Sequence, residues 1–206
     1  LPPEHYAVLD PDTPNETIAL LQQKVSDTRS ETQRDRVELI GLGFHWPNAS
    51  LTHRLENTLG YNPVRSALYS RAVGAGDSAG SPGDRKFTAL FPSYRSPLAQ
   101  LLGLRYIAAG APIETIDKTL ATGDLPLIAR TRDAWIYENP GALPRVLYVP
   151  GAKRADFEAL LSQGGLEEDF TQVVLLEDPP EQPGALVRPG RARILSSHNT
   201  ETIVEA

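Results

Sequence analysis

A chain of 206 residues that is 40% apolar and 22% charged is long enough to bury a substantial core. Its net charge of −6, with no block of like charges, argues against general affinity for nucleic acid or for an anionic membrane surface. Cysteine is absent, which excludes disulfides, thiolate chemistry and cysteine-ligated metals, and no apolar run approaches the ~20 residues that span a bilayer.

The 18 prolines and 16 glycines predict many turns and long connections. The opening Leu1-Pro2-Pro3 has no initiator methionine, basic n-region or apolar h-region, so it reads as the start of a segment excised from a longer chain. A mature secreted protein is the alternative. Residues 6–9 predict a short strand. Thr13 is then expected to cap a helix, with Pro14 at N1 and Glu16 at N3 completing a capping box. Ile18, Leu21 and Val25 recur at helical spacing before the polar run 27–33. Residues 37–42 predict the next strand.

Asn62-Pro63 reads as an N-cap followed by N1, with Val64, Ala67, Leu68 and Ala72 as the apolar face of a second helix. Residues 74–86 are expected to form a flexible loop, because the run from Gly74 to Gly83 is glycine, alanine, serine and proline around one aspartate. Ser96-Pro97 opens another helix, ended by Gly103, and residues 104–107 follow as a strand. Residues 125–129 and 135–137 predict a hairpin. Asn139-Pro140-Gly141 predicts a chain reversal, after which Pro144 leads into a strand over 145–149. Trp135 and Tyr137 are two apart and share one strand face, with Ile136 on the other. A helix over 156–162 is expected to bury Phe157, Leu160 and Leu161. The continuous run Val173-Val174-Leu175-Leu176 suits a strand covered on both faces. Residues 192–195 and 202–204 read as two strands about a turn at His198-Asn199. No internal repeat or clean linker interrupts this order. The expected fold class is therefore α/β (α+β), one domain over 1–206 with a mixed β-sheet flanked by several short helices.

Candidate chemistry is sparse. Asp10-Pro11-Asp12 has the spacing to chelate a divalent metal, but its prolines and the capped helix that follows make it a turn. Glu177-Asp178 and Glu167-Glu168-Asp169 read as a strand exit and a solvated loop. Among the four histidines only His45 and His53 are near in sequence, and their spacing is not a usual zinc spacing. No HExxH, GxSxG or phosphate-loop pattern occurs, so no catalytic residue, metal ligand or cofactor is assigned. Aromatic residues beside Asn and Arg suit sugar binding, in which a ring stacks on the apolar sugar face and amide or guanidinium groups take the hydroxyls. On that ground Tyr61, Asn62 and Arg65, together with Trp135, Tyr137, Asn139 and Arg145, form the candidate contact surface. The competing assignment is structural: Asn62 caps its helix, Asn139 shapes its turn and Arg145 makes an ion pair.

Several segments, in order, carry a family resemblance. Tyr137-Glu138-Asn139-Pro140-Gly141-Ala142-Leu143-Pro144-Arg145 resembles the "YENPxALPR" signature of the large extracytoplasmic part of bacterial YfhO-like membrane proteins. Gly60-Tyr61-Asn62-Pro63-Val64-Arg65 is similar to that family's "GYNPxR" element. Ser96-Pro97-Leu98 through Leu102-Gly103-Leu104-Arg105-Tyr106-Ile107 is similar to its "LLxLLGVRYI" stretch, and 193–206 to the strand pair that follows. The resemblance covers about residues 35–206. It implies an accessory segment of a polytopic GT-C type glycosyltransferase at the extracytoplasmic face of the bacterial plasma membrane. Its implied partners are the transmembrane region of its own parent chain and a cell-envelope glycan or polyprenyl-phosphate sugar. The catalytic carboxylate expected of such enzymes lies in an early loop that no part of this chain matches. The alternative function is a free-standing periplasmic or surface module that binds glycan or protein.

Overall fold

The computed structural model describes residues 15–42, 52–59, 66–74, 81–179, 190–198 and 201–206. In chain order these form α1 (Glu16–Thr28), β1 (Arg36–Ile40), α2 (Ala67–Val73), α3 (Pro97–Leu101), β2 (Leu104–Ala109), α4 (Ile113–Ile116) and β3 (Leu127–Arg130). There follow β4 (Trp135–Glu138), β5 (Gly151–Arg154), α5 (Phe157–Gln163), β6 (Val173–Leu176), β7 (Arg193–Ser197) and β8 (Thr202–Glu205). The α/β class expected from the sequence is present: a mixed sheet with short helices on its flanks.

The main sheet has the order β1-β2-β4-β3. β3 and β4 are joined by a tight turn closed by Thr131 N to Ala134 O at 3.0 Å, so they pair antiparallel. β1 and β2 are parallel, which requires a crossover, and residues 41–103 supply it. Alternation along each strand divides the core in two. Val37, Leu39, Tyr106, Ala108 and Ile136 face one side, where Ile18 and Leu21 of α1 cover them. Ile40, Ile107, Ala109 and Tyr137 face the other, against Phe91, Tyr94, Ala99 and Ile113. Trp135 and Tyr137 thus share a face and Ile136 takes the opposite one, as the spacing predicts.

Local chemistry explains the element ends. The Ser96 hydroxyl accepts from Ala99 N at 3.4 Å to start α3, with Pro97 at N1. Gly103 closes it at φ +64°, a conformation that favours glycine, and its carbonyl receives Arg36 N at 2.8 Å, joining helix end to sheet edge. The hairpin over 125–138 and the antiparallel pair β7–β8 also form as expected.

Other expectations are corrected. α1 is capped by Asn15 and not Thr13: the Asn15 Oδ1 accepts from Ile18 N at 3.1 Å, while its Nδ2 reaches Asp133 at 3.1 Å, so a tertiary partner fixes the cap. α2 starts at its cap Ser66, not Asn62, and Leu68 is 59% exposed, leaving Val73 as the helix's buried residue. The loop expected over 74–86 is ordered at its far end, where Pro82–Asp84 form a 3-10 turn and Arg85 enters the core. Residues 145–149 form no strand. Pro144 and Pro150 remove backbone donors at both ends, Val146 N bonds Thr32 O at 3.2 Å, and pairing resumes only at β5. α5 buries no residue fully: Phe157 is exposed, and Leu160 and Leu161 are half-buried. β6 pairs only with β5 and exposes Val174, contrary to a strand covered on both faces. The expected strand at 6–9 and residues 10–14 lie outside the described residues.

Candidate functional site

The strongest polar cluster is buried. Because Val37 and Leu39 face α1, Glu38 between them points to the opposite side of the sheet. There its Oε1 accepts from Arg85 Nε at 2.9 Å and from Tyr94 Oη at 2.7 Å, and its Oε2 from Thr58 Oγ1 at 2.7 Å. The Arg85 guanidinium lies over Phe87 at 4.6 Å and Phe91 at 5.0 Å and donates to Val73 O at 2.9 Å. Burial acts to lower the Arg85 pKa, and the Glu38 carboxylate outweighs it, raising the value above its ordinary level. Burial, followed by repulsion from Glu38, pushes the Tyr94 phenol well up. Both side chains of the Glu38–Arg85 pair are wholly inaccessible, so the cluster holds β1 to the 85–94 segment and meets no ligand. Asp117 is likewise sealed and saturated, accepting from Ser93 Oγ at 2.7 Å, Tyr94 N at 2.9 Å and Thr119 N at 3.0 Å.

The residues named from sequence separate. Tyr61, Asn62 and Arg65 lie outside the described residues. Tyr137 is 5% exposed, and its hydroxyl accepts from Ile113 N at 3.2 Å. Asn139 is buried: its Nδ2 donates to Tyr94 O at 3.2 Å and its Oδ1 accepts from Gly141 N at 3.1 Å, so it shapes the turn and fastens it to the core. The half-buried Trp135 packs against the core and carries the Arg130 guanidinium 3.6 Å from its ring centroid. Tyr137 and Asn139 are thus buried and hydrogen-bonded within the fold, and Trp135 is stacked with a cation.

Arg145 is different. Its side chain is 24% exposed and one nitrogen, Nη2, meets Oε2 of Glu56. The same oxygen lies 3.8 Å from Arg36 Nε, so two guanidiniums share one carboxylate that is itself 50% exposed. Desolvation, then the positive charges of Arg36 and Arg34, hold the Arg145 pKa down to about 10. Arg34 adds a buried Nε with no hydrogen-bond partner. Pro144 and Val146, on either side of Arg145 in the chain, line a cleft of about 610 Å³ with residues 31–32, 147–148 and 190–193 and Glu205, whereas Arg145 itself is not among the lining residues. Tyr148 forms one wall, with Gly190 so close against its ring that a Cβ there would clash. Arg193, bonded to Glu205 at 2.5 Å, and Arg191 also line it.

Sequence reasoning selected Arg145 but missed its companions. The spacing of Arg34 and Arg36 on either side of Asp35 is the available signal, since alternate residues entering a strand share a face. Glu56 and the 190–193 wall come from distant segments and carry no local signature. Arg85 was hidden by the glycine-rich run before it. Among the described residues no group of three or more His, Asp or Glu is placed to hold a metal ion, and no helix is long and apolar enough to cross a membrane. Compared with family models, curated proteins and solved structures, the chain matches none.

Proposed function

We propose that the chain is the extracytoplasmic accessory domain of a polytopic membrane glycosyltransferase-like protein. The parent acts on cell-envelope glycans with lipid-linked sugar donors at the outer face of the bacterial plasma membrane. The domain is non-catalytic by itself and contacts the glycan at the cleft beside Arg145. One observation carries this function: segments that resemble the family's motifs, far apart in sequence, interlock. Asn139 N donates to Arg105 O at 2.7 Å, Leu143 N to Gln100 O at 2.9 Å and Arg105 Nη2 to Ala142 O at 3.1 Å. The "LLGLRYI" and "YENPGALPR" stretches are therefore neighbours in the fold, which supports reading them as parts of one motif set. A non-catalytic role is supported by the buried carboxylates Asp35, Glu38 and Asp117, each occupied by donors in a closed site.

The full open reading frame tests the assignment. About a dozen apolar helices upstream are expected; a signal peptide immediately before Leu1 would replace it with a free-standing binding module. Purified chain should release no sugar from polyprenyl-phosphate sugars or glycosides, and turnover abolished by a single Asp or Glu substitution would overturn the non-catalytic assignment.

A further inference from the structure

We infer that β8 is a self-association edge: a second copy of this chain lays its own β8 antiparallel to the first, about a two-fold axis at Val204. Two hairpins then become one four-stranded sheet. The inference is independent of the function proposed above, because it rests on the strand edge and its charges.

A sheet edge presents unpaired backbone N–H and C=O groups, and folded proteins cover or blunt such edges. The other edges of this chain are treated in that way. β1 is closed by residues 56–58, with Val37 N donating to Glu56 O at 2.7 Å and Thr58 N to Val37 O at 3.1 Å. β3 follows Pro126 and is bulged between Leu127 and Ala129. β5 carries the exposed cations Lys153 and Arg154, and β6 exposes only Val174. β7 gives Ile194 N to Glu31 O at 2.7 Å. β8 has none of these devices. Thr202–Glu205 is exposed at all four positions, pairs only with β7 among the described strands, and contains no proline, glycine, lysine or arginine. Its threonine, isoleucine and valine are strong strand formers.

Symmetry and charge choose the register. A two-fold axis normal to an antiparallel pair passes between directly opposite residues, so one residue of β8 must face its own copy. Centred on Ile203, the pairing sets Glu201 against Glu205 of the second copy, twice over; centred on Glu205, it sets two glutamates face to face. Like charges directly opposite are destabilising. Centred on Thr202, it runs out of the strand into the turn that His198 N closes on Glu201 O. Centred on Val204, no like charges meet: Thr202 faces Ala206, Ile203 faces Glu205, and Val204 faces Val204. Within each hairpin Ile194 is opposite Val204, so one apolar row, Ile194, Val204, Val204, Ile194, crosses all four strands. That row covers Val204, which is 41% exposed in the single chain. Glu205 enters with its charge already held by Arg193 at 2.5 Å. A two-stranded sheet is marginal and a wider one with an apolar face is not. The contact is short, so the dimer is a weak one.

The chain has no cysteine, so a single introduced thiol reports the register. Directly opposite residues have Cα atoms about 4.5–5.5 Å apart, within the span of a disulfide. With oxidised glutathione as oxidant, Val204→Cys is expected to form covalent dimer about tenfold faster than Ile203→Cys or Thr202→Cys, whose thiols do not face themselves. Sedimentation velocity of the native chain from about 10 µM to about 1 mM should show dimer growing with concentration, and Val204→Lys should abolish it by facing two cations. Faster cross-linking of Ile203→Cys overturns the register and the charge argument with it. Dimer that persists in Val204→Lys places self-association elsewhere and overturns the inference. A monomer at every concentration, with the three thiols cross-linking at equal rates, also overturns it. So does a monomer whose β8 amides resist hydrogen exchange, because another segment of the same chain then occupies the edge. Circular dichroism melting of each variant keeps misfolding from being counted as lost association.

Discussion

The four-stranded sheet and the elements after residue 144 are built by opposite rules. In the sheet, β1, β2 and β4 are covered on both faces, and the buried charges Glu38, Asp35 and Asp117 all find donors. Beyond it, β5–β6 and β7–β8 are pairs of strands only, α5 buries no side chain, and β8 is exposed along its whole length. Leu195, Ile203 and Val204 stand in water there. A two-stranded sheet is marginal by itself, and burial of apolar area is the main source of stability. Folding free energy therefore concentrates in the sheet, while the outer elements keep their surface for contact. Ile194, buried and donating from its N to Glu31 O at 2.7 Å, is the point where β7 is fastened back to the N-terminal half.

The largest effect is expected at the sealed ion pair. Glu38→Ala leaves Arg85 charged and uncompensated in the core and should cost about 3–5 kcal/mol in denaturant unfolding. Replacing Glu38 and Arg85 together by Leu and Met should recover most of that loss, because the penalty belongs to the orphaned charge. A small loss in Glu38→Ala would mean that the cluster does not organise the sheet. Next in size is a matched pair of truncations. Ile136→Ala, in the centre of β4, should cost about 2–5 kcal/mol; Ile203→Ala, on the exposed β8, should change stability by less than about 0.5 kcal/mol. Equal losses would erase the distinction between the two regions.

That distinction was only half visible in the sequence. Strands β1, β2 and β4 were legible because their apolar spacing has a single solution, and α3 because serine, proline and glycine punctuate it. The apolar residues of α5 and β6 look the same as core residues in one dimension, yet none of them is fully buried. A pattern reports which face is apolar and not whether anything packs on it. Residues 145–149 failed for another reason: strand propensity was overridden by prolines at 144 and 150 that deny a ladder its donors. For the candidate site, Arg145 was readable from its motif, but Glu56 and the wall at 190–193 are contributed by the fold, so no local spacing announces them.

The alkaline limit offers a subtler probe of the same contrast. The Tyr94 pKa is raised in the folded state by burial and then by Glu38. Below about pH 10 both folded and unfolded chains keep the phenol protonated, and its contribution is fully present. As pH rises beyond that value the unfolded chain releases the proton first, so stability should fall. Unfolding midpoints measured from pH 8 to 11 should decline above pH 10, and Tyr94→Phe should flatten the decline. A slope unchanged in the variant would move the titration to other tyrosines; Tyr106 and Tyr137 are also raised, first by burial.

The smallest effect sharpens the comparison most, because it sets two arginines of similar sequence context against each other. Arg105 leads out of the helix end into β2, and Arg145 leads out of the turn after β4. Arg105 donates from Nε to Asp35 at 2.9 Å, with Asp35 wholly buried, and from Nη2 to Ala142 O at 3.1 Å. Removing it leaves the buried Asp35 carboxylate with the neutral donors Thr28 and Gln33 but without its counter-charge, so Arg105→Ala should cost about 1–3 kcal/mol. Arg145 has only the half-exposed Glu56 as its ion-pair partner and is crowded by Arg36 and Arg34. An exposed pair of that kind contributes under about 1 kcal/mol, and deleting one of three neighbouring cations relieves repulsion that offsets even this. Thermal unfolding of Arg145→Ala should therefore coincide with that of the native chain within a degree or two, while Arg105→Ala melts well below it. A steep loss in Arg145→Ala would make that arginine part of the fold.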